Sequence, residues 1–201
     1  MYKSFFKRLF DFVIVAILFL LFLPLFIFIA ILIKFTSAGP VFFRQDRGGK
    51  NGEYFPILKF RSMTVKKESD GKDFHPGCDA RVTSIGSFLR KSKIDELPQL
   101  INVLKGDMSM VGPRPEVKVY IDLYPERWKK VLSIRPGITD PASITFRNEE
   151  ELLAEAEDAE QEYRQKILPR KLDIYEGYVD KISMMQDIKV LFATVFVVLK
   201  G

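Results

Sequence analysis

Two adjacent carboxylates, Asp95 and Glu96, stand in a chain crowded with cations. Lys59 and Arg61 precede them, Arg90, Lys91 and Lys93 come just before, and Arg114 follows. An ionised carboxylate is a nucleophile, and clustered cations are what a phosphate-bearing substrate needs. An acidic pair ahead of Leu97-Pro98-Gln99-Leu100 is also what a helix start looks like, with Asp95 as its cap. The cations favour chemistry, because a helix N-terminus attracts anions and keeps a carboxylate ionised.

The second chemical feature is Gly112-Pro113-Arg114-Pro115. Two prolines fix the backbone around one arginine, and a pre-ordered guanidinium can grip phosphate with two parallel hydrogen bonds. The bland alternative is a rigid turn with a surface arginine. Arg135-Pro136-Gly137-Ile138-Thr139 is a similar turn with a weaker claim. Other chemistries find little support. Around His75 and Cys78 there are too few ligands for a zinc site. No glycine-rich phosphate loop or dinucleotide fingerprint occurs.

These residues need elements to hold them. A helix is predicted from Asp95 to about Leu104, with Pro98 tolerated in its first turn and Gly106 as its stop. Residues 40–60 read as a β-hairpin: apolar Val41-Phe42-Phe43, a turn through Gly48-Gly49-Lys50-Asn51-Gly52, and a second apolar run from Tyr54. Residues 84–91 read as a short amphipathic helix with Ile85, Phe88 and Leu89 on its apolar side. Residues 66–77 read as an exposed loop. Residues 149–166 read as one charged helix with a solvated face. Residues 188–199 are apolar but too short to span a bilayer; they pack on the domain or lie at the membrane interface.

The apolar residues are concentrated near the N-terminus, and residues 12–33 carry no charge. That run is long enough to cross a bilayer, and too long for a signal-peptide core. Pro24 lies inside it, where it removes a backbone donor and crowds the carbonyl of Leu20, so a kink is expected. Basic residues flank both sides: Lys3, Lys7 and Arg8 before, Lys34, Arg44, Arg47 and Lys50 after. The positive-inside rule then puts both ends in the cytoplasm. A re-entrant helix that bends at Pro24 meets both conditions.

The chain of 201 residues is rich in phenylalanine and carries a formal charge of +5. A basic balance suits nucleic acid or an anionic membrane surface, and the apolar N-terminus favours the membrane, with no nucleic acid among the expected partners. The single cysteine permits no intrachain disulfide. The expected architecture is mixed α/β and helix-rich. Residues 1–36 form a re-entrant membrane helix, and residues 37–201 form a cytoplasmic catalytic domain with a small β-hairpin and interfacial amphipathic helices.

Five motifs follow one another in order: Lys59-Phe60-Arg61-Ser62-Met63, Ile94-Asp95-Glu96-Leu97-Pro98-Gln99-Leu100, Asn102-Val103-Leu104-Lys105-Gly106-Asp107-Met108-Ser109, Val111-Gly112-Pro113-Arg114-Pro115, and Arg135-Pro136-Gly137-Ile138-Thr139. With the apolar N-terminus they make the chain resemble the bacterial sugar transferase family, the monotopic phosphoglycosyl transferases. The resemblance implies a two-step transfer of a phosphosugar from a UDP-sugar to undecaprenyl phosphate, with UMP released. It makes Asp95 the covalent nucleophile and Glu96 its partner, either in handling protons or in positioning metal. Mg²⁺ is the implied cofactor, with Asp95 and Glu96 as its candidate ligands. Lys59 and Arg114 match positions on the substrate-phosphate side. Arg147 and Asp158 match positions linked to the nucleotide. The implied donor is an N-acetylated UDP-sugar such as the diacetylbacillosamine derivative, and the implied place is the cytoplasmic face of the bacterial inner membrane. Two departures stand out. Small members often carry Ser-Pro at the bend, where this chain has Leu23-Pro24. Asp140 stands where many larger members have glycine.

Two rival readings remain. A glycosyltransferase that moves sugar without phosphate would release UDP, and usually needs a larger nucleotide-binding core. A non-catalytic membrane adaptor would use the same basic surface and keep its function in Asp95→Asn. The sugar and the oligomeric state stay open, a homo-oligomer included.

Overall fold

The computed structural model describes residues 2–64 and 82–200. The expected loop at residues 66–77, with His75 and Cys78, lies outside them. Within them the chain is mixed α/β and rich in helix, as expected.

Helix α1 (Lys7–Thr36) takes in the whole uncharged run and continues through Pro24 without interruption. At 1.5 Å per residue it is about 45 Å long. It is not the core helix of a globular domain: Leu20 is 70% and Leu21 66% exposed. One stripe does pack inward, through Val15 near its start and Phe26, Ile29 and Ile33 near its end. These residues share a cluster with Phe55, Ile57 and Phe60 of the hairpin and with Leu100 and Val103. Both ends of α1 therefore rest on the same body.

The hairpin forms as read. Strands β1 (Phe42–Gly48) and β2 (Tyr54–Phe60) pair antiparallel from Phe42 opposite Phe60 to Gly48 opposite Tyr54. The ring of Phe60 stacks on Phe42 and meets Phe26 of α1 at 5.3 Å between centroids. Helix α2 (Ser84–Lys91) starts at Thr83, whose hydroxyl accepts from the Gly86 amide. Leu89 is buried, but Phe88 is exposed, so only part of the expected apolar side faces the core.

Helix α3 (Gln99–Lys105) ends at Gly106, the stop expected for it, which takes the left-handed conformation. Strands β3 (Ser109–Val111) and β4 (Gly137–Thr139) form a two-stranded parallel sheet. Between them run α4 (Lys118–Ile121) and α5 (Pro125–Val131). Helix α6 (Pro141–Thr145) follows β4 and is capped by Asp140, whose carboxylate accepts from the Ser143 amide at 2.8 Å.

The single charged helix expected over residues 149–166 is not what forms. Helices α7 (Glu149–Ala154) and α8 (Ala159–Glu162) are separate, and a π-helical turn (Tyr163–Ile167) leads into α9 (Leu168–Lys181). Two causes are local. Glu151 and Glu155 would repel each other one turn apart. Asp158 turns its carboxylate to the amides of Glu160 and Gln161, which starts a new helix in place of continuing the old one. Helix α10 (Met184–Lys200) closes the chain. It buries Asp187 and Val190 and leaves Phe192, Val195 and Phe196 exposed.

Candidate active site

Asp95 and Glu96 lie in a 3₁₀ turn (Ile94–Glu96) that precedes α3. The expected capping role of Asp95 is not realised. Lys93, in the left-handed conformation, stands before the turn, and Pro98 stands before α3. Asp95 is 7% exposed, and its Oδ1 has no hydrogen-bond partner. Its carboxyl is pushed up from the ordinary 3.8 by burial, with Lys59 opposing the shift and Glu96 adding to it. The ionising influence expected from a helix N-terminus is thus outweighed by desolvation.

Glu96 is in the opposite condition. Its Oε1 accepts from Lys59 Nζ at 2.7 Å and from Arg114 Nη2 at 2.5 Å. Burial acts to raise its carboxyl, but the charges of Arg114 and Lys59 prevail and hold it well below the ordinary range. The charge of Glu96 in turn raises the Arg114 guanidinium above its usual value. Glu96 therefore acts as a post that binds two cations beside the open oxygen of Asp95.

Three separate elements supply these groups, and each has a visible restraint. Lys59 sits on β2, which is pinned to α3 by Asn102: its side-chain oxygen accepts from the Leu58 amide and its nitrogen donates to the Pro56 carbonyl. Arg114 sits on the loop after β3. There Gly112 N donates to Thr139 O at 3.0 Å and Gly137 N to Pro113 O at 2.9 Å, so the two Gly-Pro-rich turns interlock. A Cβ on Gly137 would fall 2.1 Å from Gly112 N, so only glycine permits this approach. Arg135 has a structural part, donating to the Gly106 carbonyl at the end of α3.

The structure thus brings Asp95, Glu96, Lys59 and Arg114 together. Asp158 is exposed, and its Oδ1 is spent on capping α8. Arg147 is exposed on the segment after α6. Asn102 is the positioning residue that sequence reasoning passed over. The available signal was an amide between Ile101 and Val103 in the apolar middle of α3. Glu116 is a second such residue: it accepts from Arg47 at 3.1 Å and from the Tyr163 hydroxyl at 2.6 Å, which braces the start of the hairpin turn.

Among the described residues no group of three or more metal-ligating side chains forms. Mg²⁺ commonly takes one or two carboxylates and completes its shell with water and substrate phosphates. Asp95, with its open oxygen, fits that mode; a dedicated protein cage does not fit.

The chain thus combines a helix-rich α/β architecture, a long apolar N-terminal helix and a carboxylate pair flanked by two cations. Residues 2–201 match the bacterial sugar transferase family, and the chain belongs to it. It is 39% identical to a UDP-N-acetylgalactosamine–undecaprenyl-phosphate N-acetylgalactosaminephosphotransferase of Aeromonas hydrophila, over 98% of this chain and 44% of that protein. It is 40% identical to EpsL of Bacillus subtilis, an uncharacterised sugar transferase, over 94% of this chain and 85% of that one. It is 39% identical to a UDP-glucose:undecaprenyl-phosphate glucose-1-phosphate transferase of Caulobacter vibrioides, over 94% of this chain and 68% of that one. The chain spans less than half of the Aeromonas protein's length.

Proposed function

We propose that this chain is a phosphoglycosyl transferase that moves a sugar 1-phosphate from a UDP-sugar to undecaprenyl phosphate and releases UMP. The observation that carries this reading is the pairing of a buried carboxylate oxygen without a partner, Asp95 Oδ1, with two cations tethered beside it by Glu96.

Asp95 attacks the sugar-bearing phosphorus. The bond from that phosphorus to the bridging oxygen of the diphosphate breaks, and UMP departs with that oxygen. A phosphate oxygen of the lipid then attacks the same phosphorus and frees Asp95. Lys59 and Arg114 lower the repulsion between the carboxylate and the substrate's phosphates. Glu96, kept ionised by those cations, holds them in position. Asp95 would hold Mg²⁺, which would supply charge neutralisation for the transfer. Arg147 and Asp158 are proposed to face the nucleotide.

Membrane placement follows the same reading. The re-entrant topology is supported by the contacts of α1 at both ends. Near its start Lys7 pairs with Asp187 and Asp11 accepts from Ser109; just past its end Ser37 accepts from Arg61. A helix held at both ends by one domain returns to the side it left, and the basic flanks make that side cytoplasmic. The exposed apolar side chains of α1 and of α10 would face lipid.

The proposed donor is N-acetylated, supported by the Aeromonas relative. UDP-glucose is the competing donor, favoured by the Caulobacter relative. The test is a panel of UDP-sugars, the diacetylbacillosamine derivative included, offered with undecaprenyl phosphate and Mg²⁺. UMP release with an N-acetylated donor supports the reading. UDP release, or no nucleotide product from any donor, refutes it.

A further inference from the structure

Buried ionisable side chains in this protein are partnered almost throughout. Lys7 pairs with Asp187, Lys171 with Glu149, Asp11 with Ser109, and Asp140 with Ser143. Among the described residues, Arg47 and Arg164 each leave one buried Nε without a partner, Asp95, the proposed nucleophile, leaves Oδ1, and Arg61 leaves two nitrogens. Arg61 is 5% exposed. Its Nη2 donates to the carbonyl and hydroxyl of Ser37 at 2.7 and 2.6 Å, while Nε and Nη1 donate to nothing. Ser37 brings no charge, so among the described residues the guanidinium has neither a counter-ion nor a full set of acceptors. A buried cation left in that state is costly unless an anion comes to it.

The position of Arg61 says which anion. Ser37 is the residue that follows α1, so Arg61 marks the end of the membrane helix. Its own amide donates to Val41 O at 2.9 Å and extends the hairpin ladder one step past Phe60. Strand alternation puts Arg61 on the same side as Lys59, about 7 Å along the chain. Lys59 is the residue that holds Glu96. Arg61 thus stands between the membrane boundary and the carboxylate pair. A phosphate carried on a lipid tail would arrive there.

We infer that Arg61 docks the phosphate monoester of the lipid acceptor, which accepts from one of the two free donors, Nε or Nη1. Naming the lipid as the acceptor rests on the proposed function; the anion site itself does not. A monoester offers three free oxygens, and the phosphodiester of an ordinary phospholipid offers two.

The experiment is equilibrium binding of farnesyl phosphate to the full chain in zwitterionic nanodiscs, without UDP-sugar, beside farnesol as the phosphate-free control. Arg61→Met is expected to weaken farnesyl phosphate about tenfold or more, and Arg61→Lys to fall between, while farnesol does not respond. Thermal unfolding of the ligand-free variant separates site from scaffold. Arg61→Met gives up the two bonds to Ser37 as well as the charge, so Tm reports the scaffold and affinity reports the site: a merely structural arginine would lower Tm and leave binding intact. Should Arg61→Met fail to fold, Arg61→Lys decides, because it keeps the charge and removes both free donors, Nε and Nη1. Unchanged affinity in the folded variants overturns the inference. Equal displacement of farnesyl phosphate by phosphatidylglycerol overturns the acceptor assignment and leaves a general phospholipid site. Arg61-dependent binding in a protein that releases no UMP would refute the proposed function and keep the site.

Discussion

Asp95 and Glu96 are neighbours in one 3₁₀ turn, yet their carboxyls are shifted in opposite directions, Asp95 upward and Glu96 downward. Burial leads in the first case. In the second, burial is overcome by Arg114 and Lys59, which converge on one oxygen. Two carboxylates pushed apart in this way take different roles. In the proposed function the open one reacts, and the paired one organises.

If Asp95 is the nucleophile, UMP forms from UDP-sugar before any lipid is added, up to one per active site, and a phosphosugar is found on the Asp95 peptide. Asp95→Asn removes both adduct and turnover, because an amide is a poor nucleophile. Glu96→Gln slows turnover and leaves some adduct. Quenched-flow UMP measurement with peptide mass analysis checks this. A ternary-complex rate law with no adduct would rule out the covalent route.

The pH dependence follows from the same pair. The nucleophile must be ionised, so activity rises with pH through a value above the 3.8 of an ordinary aspartate. Stability carries a separate signature. Glu96 is held below its ordinary 4.5, so its ion pairs contribute fully above that value and their contribution is lost as pH falls further. Glu96→Gln should therefore flatten the acid side of a Tm-against-pH curve, and an unchanged curve would contradict this account.

Arg114→Lys keeps the charge and loses the fork. It should lower kcat/KM on the order of 10- to 100-fold, with Mg²⁺ saturating. Steady-state kinetics measure it directly. Near-wild-type values would reduce Arg114 to a turn residue.

Gly137→Ala tests the interlock that carries Arg114. The new Cβ meets Gly112 backbone at 2.1 Å, and backbone cannot yield as a side chain can. A loss of about 1–3 kcal/mol is expected, read as a lowered denaturation midpoint. Ser133→Ala, on the nearby surface, should leave the midpoint unchanged.

Pro24→Ala tests the membrane reading. Restoring the missing backbone donor straightens α1 and favours a spanning form. Cysteine labelling of an N-terminal site from the periplasmic side should be absent in the parent and appear in the variant. Labelling of the parent would overturn the re-entrant topology.

Much of the site could be read from the sequence, because its chemistry is carried by residue type. Asp95-Glu96, Lys59 and Gly112-Pro113-Arg114-Pro115 declare a carboxylate and its cations wherever the chain goes. Local elements were equally legible: the hairpin's alternating runs, the glycine that stops α3 and the uncharged α1 all follow from short-range preferences. Electrostatic roles were not, since desolvation and pairing depend on which distant groups approach. Asp95 has the composition of a helix cap and is instead a buried group with an open oxygen. Lys7 reads as a membrane-flanking charge and is instead buried against Asp187, 180 residues away. Arg61 is one cation among several in the chain, and only its folded surroundings, with Ser37 on Nη2 and no partner on Nε or Nη1, set it apart. Residue types determined what chemistry was available; long-range packing decided which charges were paired, which were left open and where each would act.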